Sequence, residues 1–267
     1  MKLKSGLLAI ILAIQPVLAA EYILSASPTE GELVSRRLFE PVAAYLSEVT
    51  GENIVFEYAQ NWPVYSRNMQ ASRYDLVYDA PNFIGWRVAK IEHTPLARLA
   101  EDLVYVVIAS AEDEMVSSLG DLKGKTVCSG AIPNLDALIL LDQYDSPWAQ
   151  PRIKAVQGFK QIFDQLAAGK CAAAVLPENI YRDLTLVSHA SIRVLFRSKR
   201  FPHFAFSASP RMPGSLQQSI KAALTSVHAA SALSALRQHY RSRSGLLPVE
   251  QDEFRGLGYM LEDFWGY

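Results

Sequence analysis

The fold of this chain is most strongly constrained by an alternation of short apolar segments and longer amphipathic segments, which occurs twice along the sequence. The short segments are strand-like, and the longer ones repeat their apolar residues at helical spacing. The first round predicts strands at 22–25, 54–58 and 76–78 and helices at 33–49, 62–71 and from Pro81. The second predicts strands at 125–129, 153–156, 171–176 and 192–196 and helices at 134–143, 159–168 and from Pro177. This order predicts two α/β lobes, each a mainly parallel sheet flanked by helices.

The chain is predicted to cross between the lobes twice. Residues 103–109 form an apolar run typical of a buried strand, where the strand–helix alternation stops. The last third carries a predicted helix at 215–239, a loop through 246–248, a short helix at 251–257 and an aromatic tail with Tyr259, Phe264, Trp265 and Tyr267, which we expect to pack on the first lobe. We therefore expect residues 20–104 plus 207–267 in lobe 1 and 105–206 in lobe 2, with a two-strand hinge near 104–110 and 202–207.

The N-terminus has the order of features of a secretory signal. Lys2 and Lys4 precede an apolar run at 6–18, and Val17-Leu18-Ala19 offers small or apolar residues for cleavage. The run is too short to span a bilayer core of about 30 Å comfortably, which disfavours a membrane anchor. We expect removal of residues 1–19 and export to the periplasm.

Charge and composition exclude two classes of partner. The chain has a net charge of −1 and shows no basic stripe, so we expect no nucleic-acid partner. Beyond the signal, no apolar stretch is long enough to cross a membrane, so we expect no membrane insertion after signal removal. Because half of the residues are apolar, the chain can bury a large core, and we expect a soluble monomer.

Motifs for catalysis or metal binding are missing from the sequence. It has no Gly-x-Ser-x-Gly, His-Glu-x-x-His or Gly-x-x-x-x-Gly-Lys pattern, and its five histidines lack metal-ligand spacing. We expect no enzyme activity, no cofactor and no metal. Cys128 and Cys171 are an even pair in an exported chain, which favours a disulfide. Two buried free thiols, or a thiol nucleophile at Cys128, remain as alternatives.

Four segments follow one another in an order and spacing that are together fairly specific. They lie at 25–46 (with Ser-Ala-Ser-Pro-Thr-Glu and Phe-Glu-Pro-Val-Ala-Ala-Tyr-Leu), 74–83 (Tyr-Asp-Leu-Val-Tyr-Asp-Ala-Pro-Asn-Phe), 119–127 (Leu-Gly-Asp-Leu-Lys-Gly-Lys-Thr-Val) and 169–177 (Gly-Lys-Cys-Ala-Ala-Ala-Val-Leu-Pro). Together they resemble the phosphate-, phosphite- and phosphonate-type substrate-binding proteins of ABC importers. The resemblance covers nearly the whole mature chain.

The resemblance implies a type II periplasmic binding fold that captures a small oxyanion or a phosphonate-like or zwitterionic ligand by hinge closure, for delivery to an ABC permease. An alternative partner is a membrane kinase or chemoreceptor that senses the bound ligand. Phosphonate binders usually carry a hydroxyl-rich loop after the first strand of lobe 2, whereas this chain has Cys-Ser-Gly-Ala-Ile-Pro-Asn at 128–134. The same fold places the strands that carry Cys128 and Cys171 side by side, within reach of a disulfide.

Ligands of open α/β sheets bind beyond the carboxyl ends of the strands, which selects candidate site residues. Two of them are acids, so the selection leans towards a ligand with an amine or other cationic group, boxed by aromatic rings. Each candidate also has a structural interpretation, such as helix capping for Asn134 or packing for Trp62. The predicted ligand-binding residues are Ser25, Ser27, Trp62, Tyr65, Tyr78, Asp79, Asn82, Ser129, Gly130, Asn134, Glu178, Asn179 and His203.

Overall fold

A computed structural model describes residues 20–188 and 190–262, and the predicted signal segment and the aromatic residues Phe264, Trp265 and Tyr267 lie outside the described residues. The first lobe contains β1 (Glu21–Ala26), α1 (Glu32–Thr50), β2 (Asn53–Phe56), α2 (Trp62–Gln70), β3 (Leu76–Asp79), α3 (Pro81–Ile91), β4 (Thr94–Leu99), β10 (Ala205–Ala208), α7 (Gly214–Thr225), α8 (Ser234–His239) and β11 (Leu246–Pro248). The second contains β5 (Tyr105–Ser110), β6 (Thr126–Ser129), α4 (Leu135–Leu141), β7 (Arg152–Ala155), α5 (Phe159–Ala167), β8 (Ala173–Pro177), α6 (Glu178–Ser188) and β9 (Ile192–Arg197).

The predicted two-lobed α/β architecture is confirmed, and most strands of each sheet run in one direction, with β10 and β11 reversed in the first sheet and β5 reversed in the second. The first sheet has the order β11-β4-β10-β3-β1-β2 and the second β7-β6-β8-β5-β9. Strands β1, β2 and β3 pair in parallel, as do β6, β7 and β8. The strands that enter or leave the crossovers pair antiparallel, because each crossover reverses the direction of the chain relative to the sheet that it joins.

Two short segments, 100–104 and 198–204, connect the sheets. They run side by side, and the backbones of Leu103 and Phe201 exchange two hydrogen bonds of 2.9 Å. Both side chains are buried. The predicted hinge segments begin in or near these connections but extend into β5 and β10, because the apolar run at 103–109 is mostly a core strand of lobe 2. We propose that the lobe boundaries lie within these two connections.

Local sequence signals account for the ends of the first three helices. Helix α1 ends before Gly51, which adopts the left-handed conformation with φ of 72° that disfavours other residues. The Asn61 side chain accepts a 2.9 Å hydrogen bond from the Val64 N–H and so caps α2. Pro81 occupies the first turn of α3, where its missing N–H leaves no helical hydrogen bond unmade.

Two predictions for the C-terminal third are wrong. The helix expected at 215–239 is interrupted after α7, because Ser226 has extended backbone and its hydroxyl accepts from the His228 N–H at 3.2 Å. The loop expected at 246–248 forms the edge strand β11, since Leu246 is buried against β4. Strand β4 itself also escaped prediction.

The C-terminal segment returns to the first lobe through a backbone-to-backbone contact. A β-carbon at Gly85 of α3 would lie 2.7 Å from the Phe254 carbonyl oxygen, and one at Gly258 would lie 2.7 Å from the backbone of Trp86. Such distances are far below ordinary contact, so both positions need glycine. The 3₁₀ turn Leu257–Leu261 can therefore lie directly on α3, as far as the described chain extends.

A disulfide joins β6 to the residues just before β8 in the second sheet. Cys128 near the end of β6 and Cys171 just before β8 are bonded, with their Cα atoms 5.8 Å apart. Both side chains are buried among apolar residues, including Ile162 and Phe163 of α5. The bond thus closes a 43-residue separation across neighbouring parallel strands.

A fully buried ion pair holds the core of the first lobe. Arg87 of α3 donates from Nε to Asp79 Oδ2 at 3.0 Å and from a terminal nitrogen to the Tyr65 hydroxyl at 2.9 Å. The Tyr65 hydroxyl in turn donates to the other carboxylate oxygen of Asp79. All three side chains are completely buried. Burial raises the pKa of Asp79, and the charge of Arg87 opposes that shift.

We predict that the double variant Cys128→Ala/Cys171→Ala has a free energy of unfolding lower by about 2–4 kcal/mol, because the unfolded chain loses the constraint of a long closed loop. Urea denaturation with and without reductant measures the difference. Thiol titration of unfolded, unreduced protein should detect no free thiol. Two titratable thiols would contradict the pairing.

We predict that Arg87→Met lowers the free energy of unfolding by about 3–5 kcal/mol, because it leaves the Asp79 carboxylate buried without its cation. Chemical denaturation measures the loss. The matched control is Arg73→Met, which removes the half-exposed partner of Glu57 and should cost less than about 1 kcal/mol. Equal effects of the two substitutions would show that burial of the pair is not what makes it important.

Candidate functional site

A cleft between the lobes contains three adjoining cavities. The outer cavity has a volume of about 510 Å³ and takes walls from both lobes, including Val34 and Gln238 from the first and Gly158 and Ile180 from the second. The inner cavity, of about 30 Å³, lies between Tyr240 and Phe204 of one lobe and the 130–136 loop of the other. The innermost, of about 10 Å³, lies within lobe 1. Glu30 lines all three.

The wall from lobe 1 is an aromatic cluster that no single sequence segment contains. Tyr78 at the end of β3, Phe204 in the second crossover and Tyr240 after α8 have ring centroids 4.8–5.8 Å apart. Contacts at such separations between tilted rings are favourable beyond the area they bury. The Tyr78 side chain is 1% exposed, and its hydroxyl has no hydrogen-bond partner among the described residues.

The wall from lobe 2 is built around the carboxylate of Asp136. Its Oδ2 accepts from the Gly130 N–H at 2.6 Å, and its Oδ1 accepts from the Ala137 N–H at 2.9 Å. Asp136 is 3% exposed, and burial raises its pKa from 3.8 to about 6 against the effect of these hydrogen bonds. The carboxylate, in the first turn of α4, therefore already uses one backbone donor of the preceding loop and one of the helix.

The entrance to the inner cavity carries a charged residue from the first lobe. The Glu30 carboxylate lies 3.3 Å from Nε2 of His239, and its side chain is 14% exposed. The His239 ring packs against Tyr240, with centroids 4.9 Å apart, and against Phe159 of lobe 2 at 6.4 Å. Residues of both lobes thus meet around Glu30.

Four of the predicted site residues line the cavities. Ser27 and Tyr78 border the innermost cavity, and Gly130 and Asn134 border the inner one. Ser27 and Gly130 directly follow β1 and β6, Tyr78 is the penultimate residue of β3, and Asn134 lies five residues after β6, so all four lie at or beyond the carboxyl ends of parallel strands.

Five other predicted residues lie beneath the cavities or at the start of the loop that follows β6. Ser25 donates to the Glu57 carbonyl at 2.8 Å, and Ser129 donates to the Gly130 carbonyl at 2.9 Å. Trp62 stacks on Phe83 at 5.5 Å. The remaining two, Tyr65 and Asp79, belong to the buried network with Arg87.

Neither acid that suggested a cationic ligand carries its charge into the cavities. Asp79 is neutralised by Arg87, and Glu178 is paired with Arg182 at 2.8 Å and with Arg197. The inference from Asp79 and Glu178 is therefore wrong in its residues. Arg182 lies four residues after Glu178 on the same helix, where the sequence could have indicated the pair. Arg87 and Arg197 lie on the following helix and on a separate strand, and only the folded chain brings them close.

Of the last three predicted residues, two make hydrogen bonds between the lobes and one lies in the second crossover. Asn82 of α3 donates to the Pro133 carbonyl of the other lobe at 3.3 Å, and Asn179 of α6 donates to the Tyr240 carbonyl at 3.0 Å. His203 is buried in the second crossover, where its Nδ1 accepts from the Phe204 N–H at 2.8 Å. Burial lowers the pKa of His203 to about 4, so it is neutral at physiological pH.

The cavity residues that sequence reasoning missed are Glu30, Asp136, His239 and Tyr240. Asp136 offered a weak signal, since an acid in the first turn of a predicted helix is favoured there. Glu30 lies close to the first strand end. His239 ends α8 and Tyr240 follows it, far from any strand end, and the sequence contains no sign that this segment reaches the cleft.

No helix within 20–188 or 190–262 combines the length and apolar character needed to cross a bilayer. In the same residues, no group of three or more His, Cys, Asp or Glu side chains is arranged to hold a metal ion.

Solved structures with the same fold bind different ligands. PhnD1 from Prochlorococcus marinus, solved with methylphosphonate, has a TM-score of 0.72 and 11% identity, covering 91% of this chain and 97% of its own. A binding protein component of an ABC phosphonate transporter from Pseudomonas aeruginosa gives 0.67 and 13%, covering 88% and 83%. An ancestral arginine-binding protein with bound arginine gives 0.55 and 13%, covering 82% and 96%. At such identities the likeness shows the fold alone.

The sequence itself identifies the family. A search of curated protein sequences finds no match. A family model described as the periplasmic substrate-binding protein of phosphonate ABC transporters matches residues 24–254, which include both lobes and both crossovers. The chain therefore belongs to the phosphonate ABC-transporter family of periplasmic substrate-binding proteins.

Proposed function

We propose that this protein captures a small phosphonate-like or zwitterionic solute in the cleft between its lobes and delivers it to an ABC permease. The observation that carries the proposal is a set of cavities with walls from both lobes, next to a buried Tyr78 hydroxyl without a partner. The family supports the class of ligand, since the PhnD1 relative was solved with methylphosphonate.

Closure would depend on the two crossovers. Short paired segments such as 100–104 and 198–204 can absorb a rotation while each sheet stays rigid. Asn82 and Asn179 already join the lobes across the cleft. A ligand that contacts both walls adds interactions that exist only in the closed state, and it thereby shifts the population towards closure.

The remaining parts of the proposal concern export and chemistry. Membership of a periplasmic family supports removal of residues 1–19 as a signal peptide. It also supports binding without conversion of the solute, and action as a monomer that docks on its permease. The Asp136 carboxylate is held by backbone donors and the Cys128 sulfur is in a disulfide, so neither is disposed as a nucleophile.

The Tyr78 hydroxyl is the polar group in the cleft that most clearly needs a ligand. A buried hydroxyl without a hydrogen bond costs about 1–3 kcal/mol, and a bound polar group would recover that energy. Its neighbours in the innermost cavity include Ser27, Thr29 and Glu30, which are polar as well.

We predict that a solute which raises the melting temperature also compacts the protein. A thermal-shift screen would test phosphate, sulfate, methylphosphonate and 2-aminoethylphosphonate, because bound ligand stabilises the folded state by mass action. Small-angle scattering would then compare free protein with protein saturated by the strongest stabiliser. A smaller radius of gyration is expected with ligand. Identical scattering curves from free and saturated protein would refute closure.

We predict that Tyr78→Phe weakens binding of the strongest stabiliser in that screen by about 10-fold, because one hydrogen bond to the ligand is lost. Its free energy of unfolding should stay equal or rise, since an unpartnered buried hydroxyl is removed. Tyr65→Phe is the control, because its hydroxyl is bonded to Asp79 and Arg87, so it should lower stability. Calorimetry and urea denaturation measure the two effects, and unchanged affinity of Tyr78→Phe would exclude the contact.

A further inference from the structure

We propose that the ligand enters the cleft with an ammonium group foremost, and that Glu30 and Asp136 receive this group in the inner cavity. The inference rests on the proposed function and specifies which end of the solute each wall recognises. It reverses the arrangement that the family resemblance implies, in which an oxyanion occupies the loop of lobe 2.

The loop of lobe 2 supplies a negative charge where an anion would have to bind. The Gly130 and Ala137 N–H groups, which would serve an oxyanion, donate to Asp136 instead. An incoming phosphonate would meet the Asp136 carboxylate and would find these donors occupied. The Asp136 carboxylate can still bind a cation, because each of its oxygens keeps a further lone pair that can accept from an N–H donor.

The inner cavity combines two acids with aromatic rings. Glu30 and Asp136 approach it from opposite lobes, and Tyr105, Phe159 and Tyr240 complete its walls. Among the described residues that line the inner and innermost cavities, none is lysine or arginine, and the basic side chain among them is His239, whose Nε2 lies 3.3 Å from the Glu30 carboxylate. Carboxylates and ring faces both attract an ammonium group, particularly where water is excluded.

The sizes of the cavities favour the same orientation. A volume of about 30 Å³ holds one or two water-sized groups, such as an ammonium, whereas a phosphonate group is larger. The outer cavity of about 510 Å³ has room for the rest of a solute, and Arg37, Lys160 and Arg241 lie on its walls. Lys160 and Arg241 already face Asp164 and Asp183, so an anionic end would meet chiefly Arg37 at the entrance.

An independent observation points to a ligand at this place. The Tyr78 side chain borders the innermost cavity, which Glu30 also lines, and its hydroxyl is almost completely buried and lacks a partner among the described residues. Its oxygen can accept a hydrogen bond from an ammonium N–H that reaches past Glu30. Glu30 thus lines both the inner cavity, which it shares with Asp136, and the innermost cavity, which it shares with Tyr78.

The test is titration calorimetry with matched pairs of solutes that differ in the cationic group. The pairs are 2-aminoethylphosphonate with ethylphosphonate, and ethanolamine with 1-propanol, its uncharged carbon analogue. We expect the cationic member of at least one pair to bind about 10-fold or more tightly than its partner. An uncharged or purely anionic member that binds as tightly as its cationic partner would overturn the inference and leave the proposed function standing.

Variants of Glu30 and Asp136 test whether these two acids cause the preference for the cationic solute. Glu30→Gln and Asp136→Asn should each weaken the cationic solute by about 10-fold, and neither should weaken ethylphosphonate. Glu40→Gln, an exposed acid on α1, is the matched control and should bind like the unaltered protein. Because Asp136→Asn alters loop hydrogen bonds, its melting temperature is measured too, and Glu30→Gln provides the second test. Full affinity in both variants would overturn the inference.

Absence of binding by every matched pair would also overturn it. The proposed function would then be judged separately, by stabilisation and compaction in the broader solute screen. Stabilisation by phosphate or methylphosphonate alone would support capture of an anion and contradict entry by the ammonium end. Failure of all solutes in both experiments would contradict the proposed function itself.

Discussion

The architecture depends on a chain that crosses twice between its two sheets through adjacent segments. Hydrogen bonds between Leu103 and Phe201 keep the crossovers paired, and their buried side chains keep water away from them. Since the chain enters lobe 2 and returns in this way, β5 and β10 pair antiparallel with strands of their own sheets. The carboxyl ends of the parallel strands in the two lobes consequently face one cleft.

The cleft needs rigid walls, and each lobe provides one by a different means. In lobe 1 the Asp79–Arg87–Tyr65 network joins β3, α3 and α2 beneath the cavities. A buried pair of this kind adds little net stability over apolar packing, but it is strongly destabilising when one partner is removed. In lobe 2 the disulfide ties β6 to the start of β8, directly below the loop that carries Asp136.

The walls differ in what they offer a ligand. Aromatic rings with an unpartnered hydroxyl form the lobe 1 wall, and a loop that encloses its own carboxylate forms the lobe 2 wall. Family membership establishes the class of protein. In the further inference, the Asp136 carboxylate determines which end of a solute the lobe 2 wall attracts.

The sequence by itself determined the two-lobed α/β fold, the helix ends at Gly51, Asn61 and Pro81, and the strand ends around Ser27, Tyr78, Gly130 and Asn134. These features depend on local periodicity, backbone conformation and a general rule of sheet topology, all of which act over short stretches of chain. Only the tertiary structure decided that Asp79 is neutralised by Arg87, that Tyr240 closes the cleft, and that Glu30 approaches Asp136. Charges and rings act on each other over a few ångströms of space, and that proximity is set by packing between segments far apart in the chain.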